Sequence, residues 1–345
     1  MKRKGSLYAA VCSLDNLELA DQRARIGKSK QKGVLIHDQN RAANLLSLQE
    51  QLANKTYKTS RYDVFIIRDP KEREIYRLPY FPDRIAHHAI MNVLKPILLP
   101  VFTADSYSCI EGKGTHSASR ALQTALKDKA GTVYGLKLDI RKFYPSIDHA
   151  ILKQLLRRKV KDADLLWLID EIIDSAPGLP IGNYLSQYLA NFYLTYFDHW
   201  LKEEKKVKYY FRYADDIVVL GPDKPYLHQV LGEIRLYLET ELKLEIKGNY
   251  QVFPVVARSL DFVGYRHYHT HKLLRKRIKQ RWARNRNPKA EPSYKGLAKH
   301  CDAIHLTKKL NHEQIQRAEH KSRNNSFQGR EDKNCQSTQQ RDHRS

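Results

Sequence analysis

Two largely apolar runs of the chain meet acids at the end where the pattern stops. Val133-Tyr134-Gly135-Leu136-Lys137-Leu138 runs into Asp139-Ile140, and Ile217-Val218-Val219-Leu220 leaves directly from Asp215-Asp216. Short runs rich in β-branched and aromatic residues predict buried strands. Lys208-Tyr209-Tyr210-Phe211-Arg212-Tyr213 is a third such segment, so Tyr213-Ala214-Asp215-Asp216 reads as the tip of a hairpin. Val64-Phe65-Ile66-Ile67 and Ile75-Tyr76-Arg77-Leu78 read as a pair of strands around a turn at Asp69-Pro70-Lys71. Further strands are expected at Tyr250 to Phe253 and from Leu260 to Tyr265. Helical spacing covers Asp38 to Leu52, Arg84 to Leu94 with a stop at Pro96, Ser117 to Lys127, His149 to Arg158 and Ala163 to Ile173. Tyr184 to Lys202, expected to pack under the hairpin, and Pro225 to Leu242 follow, and helices continue from Lys276 to Leu310. Beyond Asn311 only Ile315 and Phe327 are large and apolar, too little to order a segment.

A charge at the end of an apolar strand is costly unless something pairs with it. Asp139 could cap the next helix, which Pro145 opens, but Asp148 or Ser146 would fill that role more naturally. With Asp215 on a neighbouring strand, a metal site accounts for both acids. Phosphoryl transfer uses hard divalent ions, bridged by carboxylates, to clamp the attacking and leaving oxygens. On this reading Asp139 and Asp215 bridge, the Ile140 carbonyl adds an oxygen, and Asp216 acts at longer range.

Asp139-x-x-x-Phe143-Tyr144 followed by Tyr213-Ala214-Asp215-Asp216 resembles the palm of a reverse transcriptase. The resemblance continues in order through the chain. Pro70-Lys71-Glu72-Arg73-Glu74-Ile75 and Phe81-Pro82-Asp83-Arg84 resemble that family's fingers, Gly112-Lys113-Gly114-Thr115-His116 its next block, and Phe262-Val263-Gly264-Tyr265 its primer grip. Together these cover roughly Tyr62 to Lys276. The resemblance implies an α+β right-hand polymerase with fingers, a palm of antiparallel sheet packed on helices, and a helical thumb. The expected domains are a basic helical extension over 1–60, fingers and palm over 61–270, the thumb over 271–310 and a polar tail over 311–345. It also implies RNA-directed DNA polymerase activity with two Mg²⁺ ions, Mn²⁺ being possible. Asp139, Asp215 and Asp216 would be catalytic, with metal ligands from these three and Ile140. Nucleotide contacts would come from Lys71, Arg73, Arg84, Tyr144, Ile181, Gly182 and Gln187, with Tyr144 lying flat beneath the sugar where it would crowd a 2′-OH. Either Phe143 or Tyr144 could instead be a core aromatic. Phe262, Gly264 and Tyr265 would form the primer grip. The implied partners are template RNA, the RNA/DNA hybrid and dNTPs.

Gly178-Leu179-Pro180-Ile181-Gly182-Asn183-Tyr184-Leu185-Ser186-Gln187 narrows the resemblance. Most reverse transcriptases carry Gln-Gly and Ser-Pro where this chain has Ile181-Gly182 and Ser186-Gln187. The form here is similar to the reverse transcriptases of diversity-generating retroelements, as are Thr270 to Lys276, Ser293-Tyr294-x-Gly296 and Lys299-His300-Cys301. That subfamily copies a template-repeat RNA into cDNA with frequent errors opposite adenine, and works with a small basic accessory protein. Ile181 offers neither donor nor acceptor where the usual glutamine offers both; the alternative is that it simply packs. The rivals are a group II intron-type or defence-associated enzyme, a retron enzyme, for which the thumb region lacks Val-Thr-Gly, and a catalytically silent RNA-binding scaffold.

Composition agrees with a polyanionic partner. There are 61 Lys and Arg against 38 Asp and Glu, a net charge of +23, with much of the excess beyond His271 and more in Lys2-Arg3-Lys4 and Arg23 to Lys32. The 21 tyrosines add faces on which bases can stack. Cys12, Cys109, Cys301 and Cys335 are far apart, which argues against a disulfide framework or zinc ribbon and fits a reducing cytoplasm. His267, His269 and His271 would share one face of a strand, but the resemblance accounts for this segment without zinc. Leu7 to Leu14 only faintly mimics a leader and runs into Asp15, so an amphipathic segment is expected there. No run approaches the ~18 apolar residues of a membrane span, so no membrane partner is expected.

Overall fold

The computed structural model describes residues 3–68, 72–284 and 287–308. The turn at 69–71, Lys71 included, and the tail expected at 311–345 therefore lie outside the described residues. The chain divides into two compact units, Met1–Arg258 and Ser259–Ser345.

In the first unit, residues 8–53 form four helices, Tyr8–Cys12, Leu14–Ala24, Lys32–Gln39 and Arg41–Ala53. Asn40 divides the single helix expected from Asp38 to Leu52. Their apolar faces, including Val11, Leu17, Leu45, Leu48 and Leu52, are fully buried in the main core. A buried carboxylate ties these helices to the segment 80–84. Asp21 accepts from Arg25 at 2.8 Å, Arg41 at 2.7 Å and the Tyr80 hydroxyl at 2.5 Å. On the other side of that segment, buried Asp83 accepts from the Tyr57 hydroxyl at 2.8 Å and the Ser60 N–H at 3.0 Å. Strands β1 (Asp63–Ile67) and β2 (Arg73–Arg77) pair antiparallel, from Asp63↔Arg77 to Ile67↔Arg73.

The central sheet is antiparallel throughout, in the order β4-β5-β3-β6, with β3 at Tyr134–Asp139, β4 at Tyr209–Tyr213, β5 at Asp216–Gly221 and β6 at Gln251–Pro254. Ile217 to Leu220 are all buried because β5 lies inside the sheet and helix Lys224–Leu242 packs on β3, β5 and β6. The helix expected from Tyr184 to Lys202 is divided at Leu194 into Tyr184–Tyr193 and Thr195–His199. Mixed helices and antiparallel sheet give the α+β class expected of the sequence.

Two further boundaries differ from the sequence pattern. Helix Ile85–Leu98 runs through Pro96 instead of stopping before it. Proline removes one backbone donor, but Leu94 and Leu98 on either side are fully buried, and that burial holds the last turn in place. Leu260 to Tyr265 is two strands, not one: β7 (Leu260–Phe262) and β8 (Tyr265–His267) are joined by Val263 and Gly264, whose φ values are +44° and +92°. This two-residue turn, positive at both positions, has the twist a tight hairpin needs. With β9 (Lys272–Leu274) these strands form the sheet of the second unit, beside helices Lys276–Arg284 and Glu291–Ala298. His269 lies between β8 and β9, so the three alternating histidines do not share a strand.

Candidate active site

The ends of β3 and β5 bring the acids together. Asp139 closes β3 and stands in register with Asp216, the first residue of β5. Asp215 occupies the turn between β4 and β5, and its carbonyl accepts from the Ile140 N–H at 3.2 Å. Ile140 is itself fully buried. The Lys247 N–H donates to the Asp139 carbonyl at 2.9 Å, and the Lys247 ammonium also pairs with the Asp139 carboxylate. The Asp216 carboxylate is 3.6 Å from the Lys137 ammonium.

Burial, together with the adjacent Asp139 carboxylate, pushes Asp215 above the ordinary carboxylate range, and the Lys247 cation only partly offsets this. Two oxygen-only ligands that repel one another in a partly desolvated site fit hard divalent cations, whose binding would relieve the repulsion. Among the described residues no group of three or more His, Cys, Asp or Glu side chains is gathered as a ready cage. The fit therefore rests on the facing pair Asp139 and Asp215, with Asp216 in register beside them.

Phe143 and Tyr144 differ in burial. Phe143 is buried in the core, while Tyr144 is half-buried at its edge, the rings 5.5 Å apart and edge-on. Burial raises the Tyr144 hydroxyl, with Cys109 and Asp215 adding to the effect, so Tyr144 lies within electrostatic reach of the acid turn. The Tyr144 carbonyl accepts from the Leu179 N–H at 2.8 Å. Gly178 has φ +58°, and a Cβ there would lie 2.5 Å from that same carbonyl. At the other end of this loop, the Ile181 carbonyl accepts from the Tyr76 N–H at 2.9 Å. Gly182 has φ +116°, with the Tyr76 carbonyl 3.1 Å from where a Cβ would be. Residues 178–182 thus connect the Tyr144 turn to β2, with both glycines required by conformation and by space. Gln187 is exposed on helix Tyr184–Tyr193.

Arg73 is exposed at the start of β2. Arg84 is half-buried, and burial with Arg77 nearby disfavours its charge. Among the described residues it has no hydrogen bond or ion pair. Lys71 lies outside the described residues. In the second unit Phe262 and Tyr265 are fully buried, and the Tyr265 hydroxyl donates to the Leu297 carbonyl at 3.0 Å. Tyr265 belongs to the core of that unit and Phe262 is buried too, which leaves the half-exposed Val263-Gly264 turn as the accessible part of the segment.

Lys137, Lys247, Cys109 and the residues beneath the turn escape sequence reasoning. Lys137 does carry a signal, since alternation places it on the face of β3 that carries Asp139. Lys247 carries none, being 108 residues from its partner.

Comparison with known proteins places this geometry. Residues 68–267 match the family described as reverse transcriptase (RNA-dependent DNA polymerase). Protein YkfC of Escherichia coli (strain K12) is 24% identical over 283 residues, covering 68% of this chain and 72% of that protein. Group II intron-encoded protein LtrA of Lactococcus lactis subsp. cremoris is 27% identical over 271 residues, covering 57% of this chain and 45% of LtrA. The chain thus spans less than half of LtrA's length. A structure of apo telomerase from Candida Tropicalis superposes with a TM-score of 0.49 at 13% identity, covering 69% of this chain and 54% of that one. The family match extends across β2, the Tyr144 turn, the 178–182 loop and all three acids. The chain belongs to the reverse transcriptase (RNA-dependent DNA polymerase) family.

Proposed function

We propose that this chain is an RNA-directed DNA polymerase that extends a primer on a template-repeat RNA and makes cDNA with errors opposite adenine, as part of a diversity-generating retroelement. The observation that carries the polymerase reading is the Asp139–Asp215 pair, one acid closing β3 and the other in the β4–β5 turn beside it, where burial and the Asp139 carboxylate disfavour the charge of Asp215. Asp139 and Asp215 would hold two Mg²⁺ ions, with Asp216 and the Ile140 carbonyl completing the oxygen set; bound there, the ions stabilise the attacking and leaving oxygens of nucleotidyl transfer. Lys247 holds Asp139 in place and keeps a cation beside the acids. Tyr144 supports the sugar of the incoming nucleotide and excludes a 2′-OH. Arg73, Arg84 and Lys71 neutralise triphosphate charge, Gly182 and Gln187 border the nucleotide, and the 262–265 hairpin contacts the primer. On this reading the basic extension over 1–60, the fingers and palm over 61–270, the thumb over 271–310 and the tail over 311–345 are its domains, and a small basic accessory protein is its partner.

Ile181 supports the mutagenic reading. Its backbone is fixed to β2 while its side chain offers no hydrogen bond at the position of the usual glutamine. Sequencing cDNA made on a primed RNA tests it. Substitutions clustered opposite adenine are expected, and faithful copying would leave the polymerase but overturn the retroelement. A second reading, an intron-type reverse transcriptase, is favoured by the similarity to LtrA and to Nuclear intron maturase 4, mitochondrial, of Arabidopsis thaliana, which is 26% identical over 178 residues.

A further inference from the structure

The turn that carries Asp215 is under backbone strain. Ala214 has φ +53°, a conformation glycine adopts freely and alanine does not. Two carbonyls are pinned at this turn. That of Asp215 is held by the Ile140 N–H, and that of Ala214 accepts from Arg212 Nη1 at 3.2 Å.

Arg212 is fully buried, a rare setting for its side chain. Nε and Nη2 form a fork on Asp198, also fully buried, at 2.7 and 2.5 Å. Nη1 donates to Asn191 Oδ1 at 3.1 Å, and the Tyr210 hydroxyl donates to Asp198 at 2.6 Å. The Arg212 backbone is fixed as well: its N–H donates to the Asp105 carbonyl at 2.9 Å, and its carbonyl accepts from Tyr107 at 3.0 Å. That outer segment is pegged by the Lys113 ammonium, which donates to the carbonyls of Thr103, Ala104 and Ser106 at 3.0, 2.9 and 3.1 Å.

A buried ion pair contributes little net stability, because desolvation offsets attraction. A planar guanidinium with four directed bonds does, however, have a single orientation. We propose that Arg212 is a positioning residue for the catalytic acids: through the Ala214 carbonyl it fixes the strained turn and so aims the Asp215 carboxylate at Asp139. The inference rests on the reading of these two acids as metal ligands.

Lysine at 212 keeps a cation beside Asp198 but cannot bond Asp198, Asn191 and the Ala214 carbonyl together. The test is Mn²⁺ binding to the full chain, followed by electron paramagnetic resonance alongside thermal melting, for wild type, Asp215→Asn and Arg212→Lys. Arg212→Lys should fold and bind Mn²⁺ about tenfold more weakly, the scale on which groups that orient metal ligands act. Mn²⁺ binding equal to wild type, whatever its melting temperature, would overturn the inference and leave the network purely structural. Should Arg212→Lys not fold, Asn191→Ser decides, since it spares the ion pair and removes the group that aims Nη1, along with that side chain's bond to the Ser108 carbonyl. A weakening of about threefold then supports the proposal, and none overturns it. Wild type that binds no Mn²⁺, or Asp215→Asn that binds as well as wild type, would overturn the reading of the acids themselves and the inference with it.

Discussion

Ile181 is fixed through its backbone, since its carbonyl is held by the Tyr76 N–H while its side chain is half-exposed. A change of side chain there alters the chemistry offered to a nucleotide without loosening the loop. Ile181→Gln should raise fidelity opposite adenine by roughly fivefold, what one hydrogen bond of ~1 kcal/mol supplies if it forms better in the correct transition state. The measurement is the substitution spectrum of cDNA from the two proteins; an identical spectrum would mean that Ile181 only packs. The acids were legible at this scale because each interrupts an apolar strand, which is costly without a partner. Arg212 was legible only as a basic residue in a strand. Nothing local says that Asn191 and Asp198, on the two helices on either side of Leu194, take it into the core.

At the scale of elements, helix Ile85–Leu98 carries two histidines held neutral. Burial, with Arg84 nearby, pushes His87 down to about 4, and burial and neighbouring cations do the same to His88. The folded values lie below the ~6.5 of an unfolded imidazole, so protonation favours unfolding. The stability tied to these groups is complete above about pH 6.5 and is lost as pH falls towards 4. The melting temperature should drop across that window, and His87→Leu should flatten the drop; an unchanged slope in the variant would show that His87 is not what titrates. Existence and type of the long elements were readable from periodicity, as helix His149–Arg157 shows, where Asp148 caps by accepting from the Ile151 N–H at 3.0 Å. Ends were less readable where tertiary packing overrides local chemistry. The helix through Pro96 and the Val263-Gly264 turn are two such cases, beside the breaks at Asn40 and Leu194.

At the scale of the whole molecule, a net charge of +23 should make binding to RNA strongly salt-dependent. With about six phosphate contacts, affinity for a primed RNA should fall roughly a thousandfold between 50 and 200 mM salt. A titration by filter binding or anisotropy checks this, and a flat response would mean that the charge serves something other than a nucleic acid. Among the described residues no helix is long and apolar enough to cross a membrane. The central claim is that Asp139 and Asp215 together make this chain an RNA-directed DNA polymerase. Its most direct test is extension of a DNA primer on RNA by the purified chain with Mg²⁺, with Asp215→Asn alongside. Extension by wild type that needs the metal, and falls by roughly a thousandfold in the variant, is the predicted result. Equal extension by both proteins would contradict the account.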